Sequence, residues 1–328
     1  MNKIAIIGAG PAGIEAAATL AAQHIEVDLY EQSDSPLGNI RDKAFLFPNF
    51  ADAQEVADRL TRRLDNPLIH LHPHTGIDSL DNIDGRWQVK GVTYDRVLMA
   101  TGYHTFDAHR KEELGYGIYR GVHTSLELER MLREGRIVNA NGDLPKRIAF
   151  LQCVGSRDEK TGNLYCSKLC CVTAVKQAIE VRKLLPEAEL FVFYMDLRMW
   201  GQHFEELYRQ AQQEYGIRFV RGRISEASGT YDGRVQIKSE DTLMGLPLKI
   251  TTDLLVLMVG IEPSEGTRRL ARQCNICGDY GFAQSTDPHL DDNRTAMPGL
   301  FVAGTCKRPM TLTDALTDGR SAATVMLQ

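Results

Sequence analysis

An α/β fold of two Rossmann-like units is what this 328-residue sequence predicts, and three observations predict it. A buried-strand run, Ile4-Ala-Ile-Ile7, passes straight into Gly8-Ala-Gly10-Pro-Ala-Gly13 and then into Ala-rich helical sequence. In mid-chain a second strand, Arg147-Ile-Ala-Phe-Leu151, is followed by a helical pattern from about Cys170 to Leu185, which stops before Pro186. Two further strands, Arg96-Val-Leu-Met-Ala100 and Gly299-Leu-Phe-Val-Ala303, each run into a small-residue turn, Thr101-Gly102 and Gly304-Thr305. Apolar strands alternating with helical stretches are the signature of parallel sheets covered by helices.

The first strand, turn and helix carry the clearest local chemistry. Gly8 permits a tight turn, Gly10 lets the backbone approach a pyrophosphate, and Gly13 lets helix and sheet pack closely. Pro11 and Ala12 lead into a helix that runs on from Ile14 to about Gln23, with its N-terminus facing the phosphates. The next strand, Glu26 to Tyr30, closes with Glu31, placed to accept ribose hydroxyls. A lone G-x-G-x-x-G is weak evidence. With a strand before it, a helix after it and an acid about 20 residues on, it reads as a dinucleotide site. His70, His72 and His74 alternate along one strand face, which suits a polar strand beside an adenine better than a metal site.

Which dinucleotide follows from the other two turns. Ala100-Thr101-Gly102 and Ala303-Gly304-Thr305 resemble the returning motifs of FAD-binding proteins of the thioredoxin-reductase and glutathione-reductase type. That resemblance implies FAD and a thioredoxin-reductase-like architecture, with Thr305 standing where an Asp usually holds the ribityl–phosphate part. It also implies cofactor contacts from Gly38, Asn39 and Ile77. The helix from about Thr311 would bring Leu312, Thr313 and Ala315 to the flavin, its N-terminus favouring the anionic reduced form. The expected domains are residues 1–112 plus 262–328 for FAD, with 113–261 as an inserted unit. Its last strand, Leu254 to Val259, ends at Gly260 and returns the chain.

Four of the seven cysteines, Cys153, Cys166, Cys170 and Cys171, fall in one short window of the inserted unit, with gaps of twelve, three and no residues. Structural zinc usually takes a C-x₂₋₄-C pair plus a second pair of ligands. A disulfide framework needs an oxidising compartment, and a bridge between neighbours Cys170 and Cys171 would be strained. Four thiolates from a loop running into a helix suit a [4Fe–4S] cluster. The turn Gln152 to Arg157 has one glycine where a second pyrophosphate loop would need three, and Cys153 occupies it. A negatively charged cluster there would use the same helix dipole as a phosphate.

The pattern C-V-G-S-R-D…Y-C-S-x-x-C-C, then Lys176-Gln177 and Tyr194-Met-Asp196-Leu-Arg198, resembles the A subunit of heterodisulfide reductase. The Gly8 to Gly13 start, Asp279-Tyr-Gly-Phe282, Ala303-Gly-Thr305 and Pro309 extend the resemblance over nearly the whole chain. It implies FAD with a cluster close by, and it puts the four cysteines at the family's ligand positions. Lys176 matches a lysine that approaches the flavin N5 edge, although by spacing alone a solvated helix lysine reads as well. Methanogen versions are longer and carry ferredoxin modules of C-x₂-C-x₂-C-x₃-C type, absent from this sequence. The chain is therefore similar to the short, A-subunit-like protein of heterodisulfide reductase-like complexes in sulfur oxidisers. The homologous component of the membrane-associated quinone-interacting oxidoreductase of sulfate reducers is a close relative. The implied function is relay of electrons between FAD and the cluster in a sulfur-metabolism complex, with partner subunits and a homodimer.

A net charge of −5 and a pI near 6.0 give no reason to expect nucleic-acid binding. No apolar run approaches the ~18 residues of a membrane span, and with no export signal and clustered thiols the cytoplasm is the expected setting. Cys274-Asn-Ile-Cys277 spells a C-x-x-C, either a redox disulfide beside flavin or packing cysteines. Cys306 has no partner in sequence. A free-standing NAD(P)H-dependent disulfide reductase using Cys274 and Cys277 is the rival reading, and the missing second glycine fingerprint argues against it.

Overall fold

The computed structural model describes residues 3–328, and the chain divides into two compact units. The first comprises the described residues up to Arg41, with Gln54–His104 and Glu262–Gln328; the second is Asp42–Ala53 with Thr105–Ile261. Each is built on a five-stranded, all-parallel sheet. In the first the order is Leu300–Val302, Arg96–Met99, Lys3–Ile7, Glu26–Tyr30, Ile69–His72. In the second it is Val122–Thr124, Leu254–Val259, Arg147–Val154, Glu189–Tyr194, Arg218–Arg221. Both central strands are almost wholly buried apolar runs, as a sheet covered on both faces requires.

These parallel sheets place the two diagnostic turns in equivalent positions. Lys3–Ile7 is the middle strand of the first sheet and feeds the helix Pro11–Ala21. Arg147–Val154 is the middle strand of the second and leads on to the helix Cys170–Leu184. Ligands of doubly wound sheets gather outside the carboxyl ends of such strands.

The segment Asp42–Ala53 differs from the expected division, because it packs in the second unit although its sequence position suggests the first. Phe47 and Phe50 lie against that unit's core, with the Phe47 ring edge-on to Phe204 at 5.3 Å, and Ala44 N–H donates to Glu129 Oε2. The chain crosses between units at 104/105 rather than near residue 112, since Phe106, Ala108 and Leu114 belong to the second core. Among the described residues no helix is long and apolar enough to cross a membrane.

Candidate functional site

In the first unit the glycine turn has the geometry its sequence demands. A Cβ on Gly8, where φ is +105°, would lie 2.3 Å from the Ala100 carbonyl oxygen, and one on Gly13 would lie 2.0 Å from the Gly8 oxygen. Gly10 is the opposite case: a Cβ there would meet nothing within 4 Å, so the space above this turn is open. Gly10 also begins the helix without a side-chain cap, with Pro11 behind it and no acid in the first turn, which leaves N–H groups for an anion. Glu31 is buried and organises this turn: Oε2 accepts from Ala9 N–H at 2.9 Å, and Oε1 accepts from Ser33 N–H and its hydroxyl at 2.9 and 2.8 Å. A carboxylate has about four acceptor sites, so room for a ribose hydroxyl remains.

The other cofactor candidates converge on the same turn. Gly38, at φ +55°, comes within 3.8 Å of the Gly10 Cα by its would-be Cβ, and Asn39 follows it in a 3-10 turn. A Cβ on Gly102 would lie 3.8 Å from Thr305 Oγ1, and one on Gly304 would lie 2.7 Å from the Ala12 Cβ. Thr101 is tied to Thr267 through their hydroxyls at 2.6 Å, and buried Ile77 takes Arg269 on its carbonyl. Leu312, Thr313 and Ala315 open the helix Leu312–Met326, whose N-terminus carries a capping box of Thr311 and Asp314. That box already occupies two amides of the helix end expected at the flavin.

Two residues that sequence reasoning passes over complete this corner. Asp318 accepts from Gly304 N–H at 2.6 Å, from Lys307 Nζ at 2.8 Å and from Asn293 at 3.0 Å, so it anchors the turn in which Thr305 replaces an acid. Gly319 lets that helix lie against the first, because a Cβ there would stand 2.3 Å from the Ala12 oxygen. The histidines turn to neighbouring carboxylates instead: His70 to Glu26 at 3.1 Å and His72 to Asp28 at 2.8 Å. His74 lies past the strand.

In the second unit a β-bulge re-aims Cys153. Leu151 pairs with Leu257 but Val154 with Val259, so three steps on one strand face two on the other. Cys153 sits in the bulge at φ +60°, a left-handed conformation that costs a non-glycine residue about 1–2 kcal/mol. Strain of this kind at a reactive side chain points toward a functional position. Gly155, at φ +74°, follows because a Cβ would enter the Phe106 ring.

The four thiols form one electrostatic set. Burial is the main cause that pushes Cys153 and Cys170 upward and Cys171 up to about 12, and thiolate charge couples all six pairings of Cys153, Cys166, Cys170 and Cys171. Each sulfur also has an N–H donor: Arg157 for Cys153, Lys168 N–H for Cys166 at 3.3 Å, Cys153 N–H for Cys170, and Arg198 N–H for Cys171 at 3.4 Å. Arg157 is itself held by a two-pronged pair with Asp196 at 2.5 and 2.9 Å. Thiolates that repel one another but each receive an N–H suit a bound cationic core.

Among the described residues no three His, Cys, Asp or Glu side chains converge on one metal ion. A single zinc would need its sulfurs about 4 Å apart, whereas a cube offers four separate corners. The donor set therefore fits an iron–sulfur cube in chemistry, although no metal group is formed. A cavity of ≈ 530 Å³ opens beside Cys153. Of its cations, Lys111 and Arg223 are paired with Asp158 at 2.9 and 3.2 Å.

Lys176 is 1% exposed, and its amine donates to Glu129 Oε1 at 2.7 Å and to the Phe45 carbonyl at 2.8 Å. It is therefore no solvated helix lysine, and its partners Glu129, Phe45 and Glu180 lie in the second unit. All seven cysteines are free. Cys274 is buried, with its thiol pushed up to about 11 by burial, while Cys277 is exposed. Cys306 is fully buried, with its thiol driven to about 12. Burial of Cys274 and Cys306 works against the thiolate that a reactive thiol needs.

Residues 2–142 match the family described as Pyridine nucleotide-disulphide oxidoreductase. The A subunit of the H(2)/formate:CoB-CoM heterodisulfide,ferredoxin reductase of Methanococcus maripaludis is 39% identical over 253 residues, 74% of this chain. The chain belongs to the A-subunit family of heterodisulfide reductases. Another member, from Methanocaldococcus jannaschii, is named as the iron-sulfur A subunit of CoB–CoM heterodisulfide reductase and is 38% identical over 240 residues, 70% of this chain. The chain spans only 38% and 36% of the lengths of these relatives. Among solved structures, thioredoxin reductase of Lactococcus lactis superposes with a TM-score of 0.70, covering 100% of this chain and 98% of its own at 19% identity, and so shares the fold.

Proposed function

We propose that the first unit binds FAD, that Cys153, Cys166, Cys170 and Cys171 hold a [4Fe–4S] cluster, and that the chain relays electrons between the two. The observation that carries this reading is the set of four sulfurs, each facing an N–H donor, at the turn where a second nucleotide loop would stand. FAD would supply two-electron chemistry and the cluster one-electron chemistry.

The residues' own parts follow from their geometry. Gly10 leaves room for a pyrophosphate, Ala12 and Gly13 offer amides at a helix N-terminus, and Glu31 keeps an acceptor for a ribose. Asp318, rather than residue 305, fixes the Gly304 turn beneath the ribityl chain. Lys176 holds Glu129 and the Phe45 carbonyl, and its approach to the flavin edge belongs to the same proposal. The working form is a homodimer inside a cytoplasmic heterodisulfide reductase-like complex of sulfur metabolism, with other subunits exchanging electrons; a place in a quinone-interacting complex is the alternative. Anaerobic purification with iron and flavin quantified, followed by visible and EPR spectra, tests the proposal. A chain that binds flavin stoichiometrically but takes up no iron on reconstitution overturns the cluster.

A further inference from the structure

Gln152 interrupts an otherwise apolar strand, Arg-Ile-Ala-Phe-Leu-Gln-Cys-Val, immediately before Cys153. It is 5% exposed, so an apolar residue there would avoid the cost of an unpaired buried polar group. Its Nε2 has no hydrogen-bond partner, and its Oε1 lies 3.0 Å from Cys171 Sγ. In this arrangement the thiol donates S–H to the amide oxygen, with the Asp196 carbonyl as a more distant acceptor at 3.9 Å.

That polarity serves a thiol only. A ligand sulfur carries no proton and would face the lone pairs of the oxygen across 3.0 Å. The two ends of the amide have the same shape, and turning it over places an N–H on the sulfur. The turn also gives a partner to one of the unpaired donors. It would match the backbone N–H of Arg198, which already points at the same sulfur.

On the reading that Cys171 is a cluster ligand, we infer that Gln152 is a tuning residue whose amide N–H donates to Cys171 Sγ. Such a bond stabilises negative charge on the sulfur and raises the reduction potential of the centre. Gln152 acts as a positioning residue through its contact with Cys171 Sγ.

The test is a redox titration of the full chain, reconstituted anaerobically, for wild type, Gln152→Leu and Gln152→Glu. The flavin midpoint in the same titration serves as the reference. The expected result is full iron content in the variants, an unmoved flavin midpoint, and a cluster midpoint displaced to more negative potential, further for Gln152→Glu. A Gln152→Leu chain with full iron and the wild-type cluster midpoint overturns the inference. Loss of iron from both variants overturns it as well, since Gln152 would then be needed for assembly rather than tuning. A wild-type chain that takes up no iron overturns the underlying cluster reading, and this inference with it.

Discussion

Lys176 Nζ stands 2.7 Å from Glu129 Oε1, and both side chains are withdrawn almost completely from water. Glu180, one turn along the same helix, brings a second carboxylate to within 3.2 Å of that amine, with neither oxygen properly hydrogen-bonded. Burial is the chief reason that Glu180 rises to about 7, with Glu129 repelling it and Lys176 and Lys183 drawing it back. A folded pKa above the unfolded value means that the native state holds the proton more tightly. The stability from Glu180 is thus fully present below about pH 4.5 and lost as pH rises through about 7. Urea denaturation should show a lower midpoint at pH 8 than at pH 5.5. Glu180→Gln should flatten that difference, which amounts to at most about 2 kcal/mol. An unchanged pH slope in the variant would refute the assignment.

Removing the cation has the larger effect. Lys176→Met leaves Glu129 buried without its charge partner, and breaking such a pair costs about 3–5 kcal/mol. The expected outcome is a chain that unfolds at clearly lower denaturant than wild type. If Lys176 also approaches the flavin, the flavin midpoint shifts in this variant at concentrations of denaturant where it remains folded. A variant as stable as wild type would mean that the ion pair contributes nothing.

How much of this can be read from sequence depends on how local each constraint is. Gly8, Gly10 and Gly13 are legible because their requirement, room for a neighbouring backbone or a ligand, is set within a few residues. The cysteine window is legible for the same reason. Asp318 is not, because it acts on Gly304 from 14 residues away. Gly319 escapes notice because its need arises at a crossing with a helix some 300 residues earlier in the chain. The segment Asp42–Ala53 carries no local sign that Phe47 and Phe50 pack with residues beyond 130. Lys176 looks exposed by its spacing, and only the placement of Glu129 on another helix explains its burial.

The two glycines of the first turn should separate folding from cofactor binding. Gly13→Ala forces a Cβ to within 2.0 Å of the Gly8 oxygen, so the turn must shift and the protein should lose stability. Gly10→Ala meets no protein atom within 4 Å, so it should fold normally and lose flavin, because the methyl fills the space left for a phosphate. Thermal unfolding together with flavin retained after gel filtration reads both. Full flavin retention in Gly10→Ala would place the pyrophosphate elsewhere.

Cys170→Ser should abolish or alter the iron signal while leaving flavin stoichiometric, because Gly8 to Glu31 lie in the other unit. Cys274→Ser should leave iron and flavin unchanged, since that thiol is buried in the first unit's core. Iron lost from Cys274→Ser and kept in Cys170→Ser would reverse the ligand assignment.

Electron supply provides the last prediction. The turn after Arg147–Val154 offers only Gly155, and that glycine is filled against by the Phe106 ring, so no backbone cradle forms for a second pyrophosphate. The cavity beside Cys153 has the basic residues of a nucleotide pocket, yet Lys111 and Arg223 are held by Asp158, and Arg157 by Asp196. Lys160, also on the cavity wall, is exposed and only 3.8 Å from Glu113, so a dinucleotide phosphate would have to displace the tighter pairs to gain more than that one cation. Cys274, whose thiol sits at about 11, is a poor candidate for the dithiol that a disulfide reductase would need. NADH or NADPH in excess should therefore leave the flavin band of the isolated, anaerobic chain unbleached over minutes, while dithionite bleaches it. Rapid bleaching by NADH alone would show that a nicotinamide site survives in the second unit and would favour the free-standing reductase.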